Sequence, residues 1–123
     1  MRLVDILAGM KRDARRKLAG QVVMDEIPRC GLNRKTAAAA MYMSPGTLDR
    51  IRDGDPTIQS PKLRSAEGVL KLPRRLLTYI WEGDTAAIAA IDSMDADLRR
   101  VILDALTRID TEEVEHDEDT EAR

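Results

Sequence analysis

Apolar residues recur every three or four positions along most of this chain, and no segment shows the strict alternation of a half-buried strand. Leu3, Ile6/Leu7, Met10, Ala14, Leu18 and Val22 form one amphipathic stripe. That stripe predicts helix to about Ile27, with Gly9 and Gly20 as candidate breaks and Pro28 and Gly31 as its end. A second helix starts near Asn33 and runs through Ala37–Ala40, and Tyr42-Met43-Ser44-Pro45 interrupts it. The next helix carries Leu48 and Ile51 as buried positions. Ser44 is placed to cap it, because a serine hydroxyl accepts from backbone N–H groups two or three residues on. Pro45 then falls at the first helical position, where its missing donor costs nothing, and Gly54 closes the helix in a left-handed cap.

Asp53-Gly54-Asp55-Pro56 is a turn cluster, after which Ser60-Pro61 repeats the cap-then-proline pattern. Leu63, Ala66, Val69 and Leu70 give that helix its apolar face. Leu72-Pro73 interrupts it, and Pro73–Glu82 reads as a short helix with Leu76, Leu77 and Ile80 inward. Gly83-Asp84 marks a domain boundary. Beyond it come a short Ala-rich helix, Thr85–Ile91, and a stronger one capped by Ser93 or Asp95, with Leu98, Val101, Ile102, Ala105, Leu106 and Ile109 on one face. Leu103 lies off that stripe and widens it. From Thr111 the chain reads TEEVEHDEDTEAR, a composition too acidic and too poor in apolar residues to bury a core, and disorder is expected there. Three units result: residues 1–83, a helical extension over 84–110, and an acidic tail over 111–123.

Composition supports helices. With no Phe, one Trp and two Tyr in 123 residues, the core must be built from Leu, Ile, Val, Met and Ala. No apolar run reaches the roughly 18 residues of a membrane span, so no membrane association is expected. The first twenty residues scatter charges unlike a secretory signal. Cys30 is alone, so no internal disulfide can form, which fits a reducing cytoplasm. The net charge of −2 conceals a division: residues 1–83 carry a net +7 and residues 84–123 a net −9. A basic half of this kind suits a polyanion.

The spacing of Asn33–Gly54 matches two helices joined by a short turn at a steep angle, with small alanines allowing a close crossing. A helix presented this way commonly reads the DNA major groove. The elements resemble the lambda-repressor-like (Cro/repressor, XRE) helix-turn-helix family. The matching residues are Met43-Ser44-x-x-Thr47-Leu48-x-Arg50-Ile51-x-x-Gly54, then Pro61-x-Leu63-x-x-Ala66 and Leu70-x-Leu72, within residues 16–83. Actinophage immunity repressors and Cro-like regulators are nearest in style. The resemblance implies an all-α helix-turn-helix bundle, here with a C-terminal helical extension, that binds double-stranded DNA.

By that resemblance Arg34 takes a phosphate-contacting slot with Lys35 beside it. Pro45, Gly46 and Arg50 take slots that commonly reach base edges, next to the Ser44 cap. Arg50 is the convincing reader, since guanidinium pairs bidentately with guanine O6 and N7. Thr47 can bond a phosphate or touch a thymine methyl. Asp49 can accept from cytosine N4, or orient Arg50 or Arg52. Tyr42 departs from the family pattern, standing where the turn usually has glycine, so it either strains the backbone or takes another turn. Solvated charge is the competing reading for Arg50 and Arg34, and more so for Lys35, Lys62, Arg64 and the Arg12/Arg15/Arg16/Lys17 cluster.

Chemistry finds little material. One histidine, His116 in the acidic tail, one cysteine and no glycine-rich phosphate loop leave no nucleophile with an oriented base. No enzyme activity, cofactor, metal or small-molecule ligand is expected. Tyr79 and Trp81 read as packing residues. The sequence therefore points to a cytoplasmic transcriptional regulator, a repressor by occupation of promoter DNA. The broad apolar face over 84–110 serves either homodimerisation or packing on its own domain. The rival function is a protein-interaction module, such as an antitoxin whose acidic C-terminal segment binds a partner protein.

Overall fold

The computed structural model describes residues 3–92, 97 and 99–109, and among these residues the chain forms eight helices and no strand. They are α1 (Leu3–Ala8), α2 (Arg12–Arg29), α3 (Arg34–Ala40), α4 (Pro45–Arg52), α5 (Ser60–Leu70), α6 (Leu76–Glu82), α7 (Thr85–Asp92) and α8 (99–109). The expected all-α class holds. No helix among the described residues is long and apolar enough to cross a membrane. The acidic tail 111–123 with His116, the Ser93 and Asp95 caps and Leu98 lie outside the described residues.

The first stripe divides into two helices. Gly9 is a break, as expected, and the Met10 carbonyl accepts from the Arg15 guanidinium at 2.7 Å. Gly20 is not a break. It sits inside α2, where a Cβ would lie 2.6 Å from the Arg52 carbonyl oxygen and 2.7 Å from Arg52 Cα, so its missing side chain lets α4 lie backbone to backbone on α2. Pro28 also falls inside α2, in its last turn, and the helix ends at Arg29, two residues past the expected Ile27. Gly31, at φ +74°, completes that end: its N–H donates to Pro28 O at 3.0 Å and the Leu32 N–H to Ile27 O at 3.1 Å. These are the paired bonds of a Schellman closure.

The same closure ends α3 and α4. Gly54 (φ +72°) follows α4, with Gly54 N–H to Ile51 O at 3.1 Å and Asp55 N–H to Arg50 O at 3.0 Å. After α3 the left-handed residue is Tyr42 (φ +56°), with Tyr42 N–H to Ala39 O at 3.1 Å and Met43 N–H to Ala38 O at 3.0 Å. Tyr42 thus adopts the glycine-like turn rather than another one. Its side chain, 90% exposed, gains no packing in return.

One expected cap shifts. α5 begins at Ser60 itself, behind Gln59 in extended conformation and with no side-chain cap bond, so the Ser60 hydroxyl is not the cap. α6 begins at Leu76 rather than Pro73, because Arg75 is left-handed (φ +68°). Its first amides, which have no partner within the helix, are met from another helix. Glu67 of α5, only 3% exposed, accepts from Arg75 N–H at 2.9 Å and Leu77 N–H at 2.7 Å.

A single apolar cluster runs through the molecule. α2 is its spine, packing most heavily on α6 and then on α4 and α5, while α7 lies on α1 and α6. Leu18, Val22, Leu48, Ile51, Leu63, Leu76, Leu77 and Ile80 are all fully buried. Trp81 joins this core with the Arg16 guanidinium 5.9 Å from its ring centre. On α8, Val101, Ile102, Ala105, Leu106 and Ile109 are buried within the same chain. Arg108 bonds Asp25 of α2, and Arg29 of α2 lies 3.7 Å from Asp104. The described part of the stripe that suggested self-association through 84–110, Val101 to Ile109, is therefore covered inside one copy, with α2 bonded alongside it.

Candidate nucleic-acid interface

The α3–α4 pair is built by local chemistry at both starts. Asn33 Oδ1 accepts from Thr36 N–H at 2.9 Å while Thr36 Oγ1 accepts from Asn33 N–H at 2.9 Å, a reciprocal capping box that starts α3. Ser44 Oγ accepts from Thr47 N–H at 3.1 Å, with Pro45 opening α4 as expected. Ala37 and Ala38 are buried, whereas Ala39 and Ala40 are exposed, so only half of the alanine run serves the crossing. Leu48 and Ile51 turn inward. Burying each contributes about 1.5–3 kcal/mol and fixes which side of α4 faces water.

That outward side gathers the sequence-derived residues. Arg34 and Lys35 are exposed at the start of α3; Ser44, Gly46 and Arg50 are exposed on α4 or at its cap; Pro45, Thr47 and Asp49 are half-buried between them. The Ser44 and Thr47 hydroxyls lie 3.0 Å apart and share a hydrogen bond. Each is thereby engaged in the helix start.

The arginines are held by carboxylates. Arg34 reaches from α3 to the middle of α4, where Nε donates to Asp49 Oδ1 at 2.8 Å and Nη2 to Oδ2 at 2.6 Å. Arg52 Nη1 approaches Asp49 Oδ1 at 3.5 Å, and Arg52 Nε donates to Asp53 Oδ1 at 2.9 Å. The direct bond from Arg34 is the chief cause that holds the Asp49 carboxyl below its ordinary range, and the same bond raises Arg34. Asp53 likewise raises Arg52.

Arg50 turns toward the segment after α4. Its Nε donates to Asp55 Oδ2 at 2.9 Å, and its Nη2 bonds Thr57 Oγ1. Asp55 also accepts from Thr57 N–H at 2.8 Å and Thr57 Oγ1 at 2.7 Å, an Asx turn of the kind an Asp before proline favours. The two Thr57 bonds, followed by that from Arg50, lower the Asp55 carboxyl to about 2.

Asp49 holds Arg34 foremost, a partner the sequence did not suggest, and Arg52 second, one that it did; Arg50, the other arginine it was expected to orient, pairs with Asp55 instead. Asp55 and Thr57 were not singled out by sequence reasoning as parts of this face, whereas Arg52 was, as a neighbour that Asp49 could orient at the three-residue spacing of a helix. Arg34 with Asp49, fifteen residues apart, carries no such signal. Trp81 and Tyr79 lie in or against the core, in keeping with packing roles.

What this face can do chemically is present guanidinium groups and helix α4 to a partner with planar acceptors, after or alongside exchange of its own carboxylates. Comparison with family models, with curated proteins and with solved structures finds no match to this chain.

Proposed function

We propose that this chain is a transcriptional regulator of the lambda-repressor-like helix-turn-helix type that binds double-stranded DNA in a sequence-specific way and represses by occupying promoter or operator DNA, as a phage immunity repressor does. The observation that carries the reading is α4 itself. Its apolar side is locked on α2 and α3 by Leu48 and Ile51, and its capped start and opposite side stand in water beside Arg34, Lys35 and Arg50. In this reading α4 enters the major groove, Arg50 leaves Asp55 and Thr57 for a base edge, and Lys35 with the Arg34 guanidinium faces the phosphates.

Selection from a random duplex pool, followed by competition binding, tests it. The wild type should enrich one motif, and Arg50→Ala should lose about 1–3 kcal/mol on that motif and relax preference at one base position. A pool that stays random, or an Arg50→Ala variant with unchanged preference, overturns the assignment.

A second reading, the protein-interaction module, draws on the carboxylates. Asp49, Asp53 and Asp55 neutralise Arg34, Arg52 and Arg50, giving α4 the mixed charge of a polar protein surface. A stoichiometric protein partner together with no duplex preference favours it.

A further inference from the structure

A guanidinium has two edges that offer a parallel pair of N–H donors: a side edge, Nε with one Nη, and an end edge formed by both Nη groups. Asp49 occupies the side edge of Arg34 completely, through the bonds at 2.8 and 2.6 Å. Among the described residues, Arg34 Nη1 meets no acceptor, and the Arg34 side chain is 52% exposed against 27% for Asp49. The end edge therefore faces outward, next to the exposed side of α4. Asp49, with both oxygens committed, has little left for a cytosine amino group.

We propose that Asp49 is a positioning residue, which braces Arg34 across the α3–α4 pair so that its end edge is ready to grip two coplanar acceptor atoms on DNA. The proposal deepens the DNA-binding reading and rests on it. The acceptors are either the free oxygens of a phosphate or guanine O6 and N7, the two partners whose spacing matches a guanidinium edge. A free arginine loses rotamer entropy when it binds, and here that ordering has taken place before DNA arrives. Charge alone argues the other way. Arg34, Asp49, Arg52 and Asp53 sum to zero, so this group offers a polyanion direction rather than net attraction.

The two effects predict opposite signs for Asp49→Asn. Were Asp49 merely a negative charge near phosphates, its removal would tighten binding to every duplex, most at low salt. As a brace, its loss weakens binding to the enriched duplex about tenfold or more, the scale of a hydrogen bond to a charged group. Arg34→Lys keeps the charge but not the fork and should lose a similar factor, and the double variant should lose no more than either single one. In the free wild-type protein the Arg34 Nε–H proton should exchange slowly by NMR, and Asn at position 49 should abolish that protection while the backbone amide spectrum elsewhere is kept.

The arms separate the acceptors. A loss confined to one base position identifies guanine, and an equal loss across sequences with a salt slope lowered by about one identifies phosphate. Equal or tighter binding by Asp49→Asn, with wild type binding normally, overturns the brace alone. A wild-type chain that prefers no duplex overturns the DNA-binding reading and the brace together.

Discussion

Gly20→Ala should destabilise this protein, and Gly68→Ala should stabilise it, although both glycines lie inside helices. In an open helix the change to alanine stabilises by about 1 kcal/mol. Gly68 meets that condition, being exposed on α5 with nothing within 4 Å of where a Cβ would stand. At Gly20 the new methyl would lie 2.6 Å from Arg52 O and 2.7 Å from Arg52 Cα, and closer still to Ile51 O. All three are backbone atoms, so no side-chain rotation relieves them; α4 must move outward by nearly an ångström. Overpacking of this kind costs about 1–3 kcal/mol, and contact with three backbone atoms puts it at the upper end. Subtracting the helix gain leaves about 2 kcal/mol of net destabilisation, which lowers the melting temperature by roughly 8 °C for a chain of this size. Thermal unfolding followed by far-UV circular dichroism measures both variants. A melting temperature for Gly20→Ala equal to or above wild type refutes the backbone-on-backbone crossing and the position of α4 that follows from it.

Two further outcomes come from helix ends. Tyr42→Gly should raise stability by about 1 kcal/mol, because the left-handed conformation costs a side-chain-bearing residue about that much and the exposed ring contributes no packing to lose; a lowered denaturation midpoint counts against the closure described for α3. Glu67→Ala should destabilise by about 2–4 kcal/mol, since it strands the amides of Arg75 and Leu77 without acceptors; hydrogen exchange at Leu77 should accelerate, and unchanged exchange there would show that water replaces the carboxylate.

What could be read from the sequence was chemistry that acts between near neighbours. The Ser44 cap, Pro45 at the start of α4, Gly54 at its end and the inward pair Leu48 and Ile51 each follow from a few adjacent residues. Gly20 shows where that reach stops. Flexibility and close approach call for the same residue, and only the position of α4 tells them apart. Glu67 looks like a solvated charge on α5 until α6 brings two free amides to it. Periodicity likewise located the apolar face of α8 but not its occupant, because a helix stripe is indifferent to whether its cover comes from the same chain. The arginines of the candidate interface and Asp49 were found by position, while which carboxylate holds which arginine emerged only once the chain had folded: Asp49 for Arg34 across two helices, and Asp55 for Arg50 through an Asx turn.

Trp81 is the only tryptophan of the chain, 7% exposed on α6 with a guanidinium above its ring. Among α1 to α7, α6 is the helix that packs most extensively on α2. The molecule thus carries one tryptophan fluorophore, placed in its spine rather than on α3 or α4. Its emission should follow whether the spine is assembled, shifting to the red as the seam opens to water. A partner that docks on α4 and leaves the core intact would pass nearly unseen by it, so a fluorescence change on adding a partner would report strain carried into α2, not simple occupancy.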